Sequence, residues 1–115
     1  MIRTLLLGLT LLATPALADE MAFFMKNGKT YDVAIELYGE RPGRVWPGDD
    51  KVYLLGTGEK KSVPVDCDQG ERICWGGWRA GDDRITFGVG PDNTLACTSC
   101  CVICVAKTTT TIDLP

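Results

Sequence analysis

Histidine is absent from all 115 residues. Without an imidazole the chain cannot build a Ser-His-Asp or Cys-His nucleophilic site, and any metal would have to be held by thiolates and carboxylates alone. Serine is scarce too, with only Ser62 and Ser99 present. No glycine-rich turn has the spacing of a phosphate loop. Gly88-Val89-Gly90-Pro91 comes nearest, and it does not open a helix. Helical patterning is missing as well: no stretch of ten or more residues keeps a 3.6 period with caps, and 13 glycines and 6 prolines work against one. Positive charge is in short supply. Twelve Lys and Arg face 15 Asp and Glu, scattered singly or in pairs such as Lys60-Lys61, so there is no basic patch for nucleic acid or an anionic lipid surface. These absences remove most catalytic constellations, and a non-enzymatic role with no cofactor is expected.

The N-terminus has three regions. Met1 to Thr4 carries Arg3, Leu5 to Leu12 is an apolar block, and Ala16-Leu17-Ala18 is a small-x-small cleavage site. The apolar block is about half the ~20 residues a bilayer span needs, and Pro15 interrupts it before the cleavage site. A cleavable signal peptide over 1–18 is expected, with Asp19 as the mature N-terminus and no membrane span after it. No cysteine follows the site to take a lipid. The remaining 97 residues carry 15 acids and, once Arg3 is gone, 11 bases, a net charge of −4. A chain of this size buries only about two-thirds of its unfolded surface, so its stability falls in the range of roughly 5–15 kcal/mol. Six cysteines in an exported chain are most simply three disulfides, each adding roughly 2–4 kcal/mol. The expected location is periplasmic or secreted.

Alternation is the main structural signal. In Tyr31 to Leu37 the odd positions are apolar, the mark of a half-buried strand. Ala22 to Lys26 is apolar, and Asn27-Gly28 between the two runs predicts a β-hairpin over 22–37. Turn residues fill 39–50 before Lys51 to Leu55 resumes a strand. Val63, Val65 and Cys67 share one parity, with Pro64 between them, which places that strand at a sheet edge. The loop 68–71 then leads into Arg72 to Trp75 as another predicted hairpin. Trp78 to Phe87 echoes Trp46 to Tyr53, and the echo reads as shared turn-and-strand grammar rather than a duplicated unit. The fold class this predicts is all-β: one small antiparallel sandwich or barrel over 19–115, stabilised by disulfides.

Three chemistries compete for the cysteines. Cys67 and Cys74 flank a loop, while Cys97, Cys100, Cys101 and Cys104 lie within eight residues. In an extended segment Cys100 and Cys101 point to opposite faces, and joining these neighbours to each other would need a strained ring. Six cysteines permit 15 pairings and sequence does not choose among them; the one expected here gives Cys67 and Cys74 one partner each from the cluster and closes the third bond inside it. A thiolate metal site would want its two pairs separated, and a redox-active thiol would want a nearby cation or helix N-terminus. The cluster has only Lys107. The pairs Asp49-Asp50 and Asp82-Asp83 could serve a glycosidase or bind calcium, but neighbouring acids in a turn read as solvent-facing turn formers.

Recognition remains. Trp46, Trp75 and Trp78 lie beside glycine-rich turns, with Arg44, Arg72 and Arg79 nearby, and they serve either as anchors of a binding surface or as core filling. The function expected is an exported binding domain for a protein or envelope polymer. The alternative is a metal-binding or redox protein using Cys97, Cys100, Cys101 and Cys104.

Overall fold

The computed structural model describes residues 19–115, so the signal peptide expected at 1–18 lies outside the described residues. The described chain forms nine strands: β1 (Asp19–Asn27), β2 (Val33–Tyr38), β3 (Val45–Trp46), β4 (Tyr53–Leu55), β5 (Lys60–Cys67), β6 (Arg72–Arg79), β7 (Asp82–Gly88), β8 (Cys101–Ile103) and β9 (Thr109–Leu114). A single 3-10 turn at Pro91–Asn93 separates β7 from β8.

The strands make two sheets. The smaller has the order β5-β1-β9, antiparallel between β1 and β5 and parallel between β1 and β9. In the larger, β2 and β6 are paired antiparallel at the centre and each outer edge is a broken strand. β3 and β4 follow one another along β2, and β7 and β8 along β6. Period-two alternation turns Met21, Phe23 and Met25 of β1, Val63 and Val65 of β5, and Ile112 and Leu114 of β9 toward Val33, Ile35 and Leu37 of β2. All are buried in one core between the sheets, and each large side chain there contributes on the order of 1.5–3 kcal/mol by leaving water. The protein is thus an all-β sandwich, antiparallel except for the β1–β9 pair. Pro64 lies on an edge strand, exposed, as the sequence predicts.

The predicted hairpins are corrected. β1 and β2 do not pair; they belong to different sheets, and 28–32 is a corner between layers. Neither Asn27 nor Gly28 takes the positive φ that a tight hairpin would use. Asn27 is buried, and its Nδ2 donates to the carbonyls of Tyr31, Leu55 and Gly56 at 2.9, 3.1 and 3.0 Å. Its Oδ1 accepts the Lys29 N–H at 2.8 Å. Gly28 is needed for close approach, because a Cβ there would lie 2.7 Å from the Leu114 carbonyl oxygen. β5 and β6 likewise sit in different sheets, so 68–71 is a second corner rather than a hairpin loop. The two-residue hairpin falls at Ala80-Gly81, where Arg79 pairs with Asp82 and Gly81 has φ of 84°.

The two echoing segments also differ in structure. Trp46 ends β3 at a cis bond to Pro47, whereas Trp78 lies inside β6 before the hairpin, so similar residues serve two unrelated turns.

All six cysteines are paired, in the arrangement expected. Cys67–Cys104 ties the end of β5 to the segment after β8, and Cys74–Cys101 links directly opposed residues of β6 and β8. Cys97–Cys100 closes a short loop before β8.

Candidate functional site: an acidic cleft on the outer face of the larger sheet

The face of β2 and β6 turned away from the core carries Ala34, Glu36 and Tyr38 on β2 and Cys74, Gly76 and Trp78 on β6. Glu36 is opposite Gly76, which in turn is opposite Gly88 of β7. On the other side of β2, Leu37 pairs with Trp46 and Ile35 with Tyr53, so the break between β3 and β4 falls beside Glu36. The break between β7 and β8 falls near the same level, since Gly88 pairs with Gly76 and Cys101 with Cys74. Both edges are therefore interrupted around Glu36, and each interruption, 47–52 and 89–100, contributes a loop to this face.

The second loop is bound down. The Tyr38 hydroxyl donates to the Gly90 carbonyl at 3.3 Å and accepts the Asp92 N–H at 3.0 Å. Tyr38, Cys74, Val89 and Cys100 form a small buried cluster beneath it. Gly76 has no side chain because the Gly90 carbonyl oxygen occupies the space a Cβ would need. Burial and then the nearby Glu36 charge push the Tyr38 phenol up to about 12, so it stays a neutral hydrogen-bonding post at any ordinary pH.

Between the two loops lies an open cleft of about 430 Å³, lined by Glu36, Val45, Asp49, Asp50 and Asp92 together with Gly43 and Gly48. Asp49, Asp50 and Asp92 all have left-handed backbone, φ 55°, 58° and 57°, a conformation that Asp tolerates better than most residues. Burial first, then the charges of Asp92 and Asp50, raise the Glu36 carboxyl above its ordinary range. None of these four carboxylates has an ion-pair partner among the described residues. Arg44, between the cleft-lining Gly43 and Val45, lines with Arg41 and Asp92 a neighbouring cavity and gives its guanidinium to Glu71. The two hydrogen bonds are 3.0 and 3.1 Å, and the guanidinium lies 4.8 Å from the centre of the Trp46 ring. Among the described residues, no three acidic or cysteine side chains are placed to hold a metal ion together.

Alongside the cleft the same face is apolar. Leu54 of β4 and Trp78 of β6 flank Ala34, and Trp78 pairs with Thr86 of β7. Leu54 is 49% exposed, and Val52 just before β4 is also exposed.

The sequence-predicted binding residues are not brought together as one surface. Trp75 is packed between the two hydrophobic clusters. Trp46 is half-buried at the edge and donates its Nε1–H to the Asp66 carbonyl at 3.1 Å. Arg72 is exposed, with its N–H donated to Glu40, and Arg79 is exposed with its guanidinium 4.7 Å from the Tyr31 ring centre. Of that set, Trp78 and Arg72 have the outer-face parity, Trp78 beside the cleft and Arg72 at the far end of β6 against Cys74 and Asn93. Glu36, Asp92 and Leu54 were not singled out by the sequence, because each is an ordinary member of a strand or turn until both broken edges are seen to meet. The six cysteines are all in disulfides, and Cys97 and Cys101 are the two that are partly exposed.

Fold and site together define a disulfide-stabilised β-sandwich with an open acidic cleft. No protein-family model, curated protein or solved structure matches the chain.

Proposed function

We propose that the chain is an exported, non-enzymatic binding domain that takes a protein or envelope-polymer partner on the outer face of its larger sheet, in the periplasm or outside the cell. The observation that carries this reading is the division of that face. One half is covered by the chain's own 89–100 segment, and the other is left with exposed Leu54, half-exposed Trp78 and four carboxylates without ion-pair partners among the described residues. Uncovered apolar side chains with unpaired charge at their rim are what a recognition surface needs and a purely structural sheet face does not. Three disulfides are in keeping with an oxidising compartment.

The test is retention of the purified protein on an envelope fraction. Wild type should be held, Leu54→Arg should be held at least tenfold less, and Val105→Arg, an exposed position outside the face, should behave as wild type. Equal retention of Leu54→Arg and wild type, or no retention of either, overturns the reading. The thiol-based alternative rests on Cys97–Cys100, a C-x-x-C bond with one partly exposed sulfur-bearing residue. Thiol titration of the exported protein separates the two, since that alternative requires reactive thiols.

A further inference from the structure

We propose that the partner is a protein and presents a basic segment to this face: a Lys or Arg side chain enters the Glu36 cleft while a neighbouring apolar residue lies on Leu54 and Trp78. This rests on the binding reading above and adds the chemistry of what binds.

Charge complementarity is the first argument. Among the described residues the cleft is lined by Glu36, Asp49, Asp50 and Asp92 and by no lysine or arginine. Arg41 and Arg44, which precede the cleft-lining Val45, are committed to Asp68 and Glu71, and Lys51, which follows Asp50, is exposed and not among the lining residues. Burial first, and then the charges of Asp92 and Asp50, disfavour the ionised Glu36 carboxyl, and an incoming cation relieves the repulsive part. The same field would repel an acidic partner, so it selects as well as attracts.

The second argument comes from the aromatic rings. Three are covered by the chain's own cations: Trp46 by Arg44 at 4.8 Å, Tyr31 by Arg79 at 4.7 Å and Phe87 by Lys29 at 5.0 Å. Trp78, the one tryptophan on the same face as the acidic cleft, carries none among the described residues. An arginine or lysine that passes the edge of Trp78 to reach Glu36, with its apolar neighbour on Leu54 and the rest of the ring, would satisfy the ring and the carboxylates together. Size points the same way. About 430 Å³ of open cleft suits a guanidinium or ammonium with water, and the carboxylates are too dispersed to enclose a bare metal ion.

The experiment titrates the mature protein with three capped hexapeptides, (Lys-Leu)3, (Ser-Leu)3 and (Glu-Leu)3, following tryptophan fluorescence, with Trp78→Phe to assign the change, and the face by backbone amide shifts. The lysine peptide should bind, weaken at least fivefold in 0.5 M salt, and shift amides of 34–36, 49–54 and 76–78. Glu36→Gln with Asp92→Asn should weaken it at least fivefold, and Asn keeps the left-handed turn accessible at 92. Glu20→Gln, an exposed carboxylate on β1, should leave binding unchanged. Equal binding of the serine peptide, or an equal loss from Glu20→Gln, overturns the cationic inference; so does failure of all three peptides. Neither outcome alters the envelope-retention result with Leu54→Arg, which judges the binding reading separately.

Discussion

Two acidic regions border the chain between β2 and β3, and they are treated in opposite ways. On one side Glu71 is buried, receives both arms of the Arg44 guanidinium, and accepts the Asp68 N–H at 3.0 Å; Arg41 reaches Asp68 alongside. Burial would push the Glu71 carboxyl up, but these donors outweigh it and hold it below its ordinary value. On the other side Glu36, Asp49, Asp50 and Asp92 surround a cleft with no lysine or arginine lining it among the described residues, and Glu36 is displaced upward. Both lie within a few residues of Arg44 in space or sequence, and the single arginine serves only one. Charge that is fully matched inside the chain belongs to the fold, whereas charge left unmatched around an opening is available to something outside it.

The largest effect should come from the crosslink beneath the matched region. Replacing both Cys67 and Cys104 by Ser opens a link of 37-residue separation and should cost about 4 kcal/mol, read from denaturant unfolding of the purified double variant. Removing Cys97–Cys100, separation 3, beside the cleft loop should cost only about 2 kcal/mol. Equal costs would mean the two regions do not differ in structural weight.

Arg44→Ala should lose about 2–3 kcal/mol, at or just below the low end for breaking a buried pair because the arginine side chain is 27% exposed, and it also strips the cation from Trp46. Its melting temperature should fall by far more than that of Glu36→Gln. The latter removes a carboxylate that is desolvated and repelled, so it should be neutral or stabilising by a few tenths of a kcal/mol.

The pH dependence of the two carboxyls has opposite sign. Glu71, with its pKa lowered by folding, binds fewer protons folded than unfolded. Its contribution is complete above the ordinary carboxylate pKa of about 4.3 and is lost as pH falls through the folded value. Glu36, with its pKa raised, binds more protons folded than unfolded. Its charge lowers stability above the folded value, and that loss disappears as pH falls toward the ordinary one. Melting curves across the acid range should therefore show Glu36→Gln losing its advantage over wild type as pH falls from neutral, while Arg44→Ala converges on wild type only at lower pH. A common pH window for both would remove the distinction between the regions.

Much of the fold was legible because alternation states which face a residue takes. Val63, Val65 and Cys67 point inward as their parity says, and Pro64 marks an edge where a missing N–H does no harm. Alternation does not state which strand is the partner. Asn27-Gly28 has the composition of a hairpin turn, yet the Asn27 amide is used to gather three carbonyls of the corner between sheets, and the chain passes to the other layer. The cysteine pairing could be guessed but not chosen from spacing, because the bond inside the cluster, Cys97–Cys100, depends on a turn at 98–99 that an extended reading of the segment does not contain. The cleft could not be foreseen. Glu36 is one polar residue among several in an alternating run, and its meaning depends on two edge interruptions, 14 and 53 residues downstream at Asp50 and Val89, that arrive at the same level of the sheet.

Those interruptions also govern how the molecule meets its own copies. A β-sheet edge attracts further strands in proportion to the length of bare backbone it offers, and runs of two or three residues at β3, β4 and β8 offer little. β5 is protected by Pro64 and by Lys60 and Lys61. Two longer edges remain: β7, whose first half carries the charges of Asp82, Asp83 and Arg84, and β9, where Thr109–Leu114 is an unbroken, threonine-rich border with the single charge Asp113, paired on one side to β1. Accretion of chains into a fibre would begin along that border, opposite in the fold to the surface assigned to recognition.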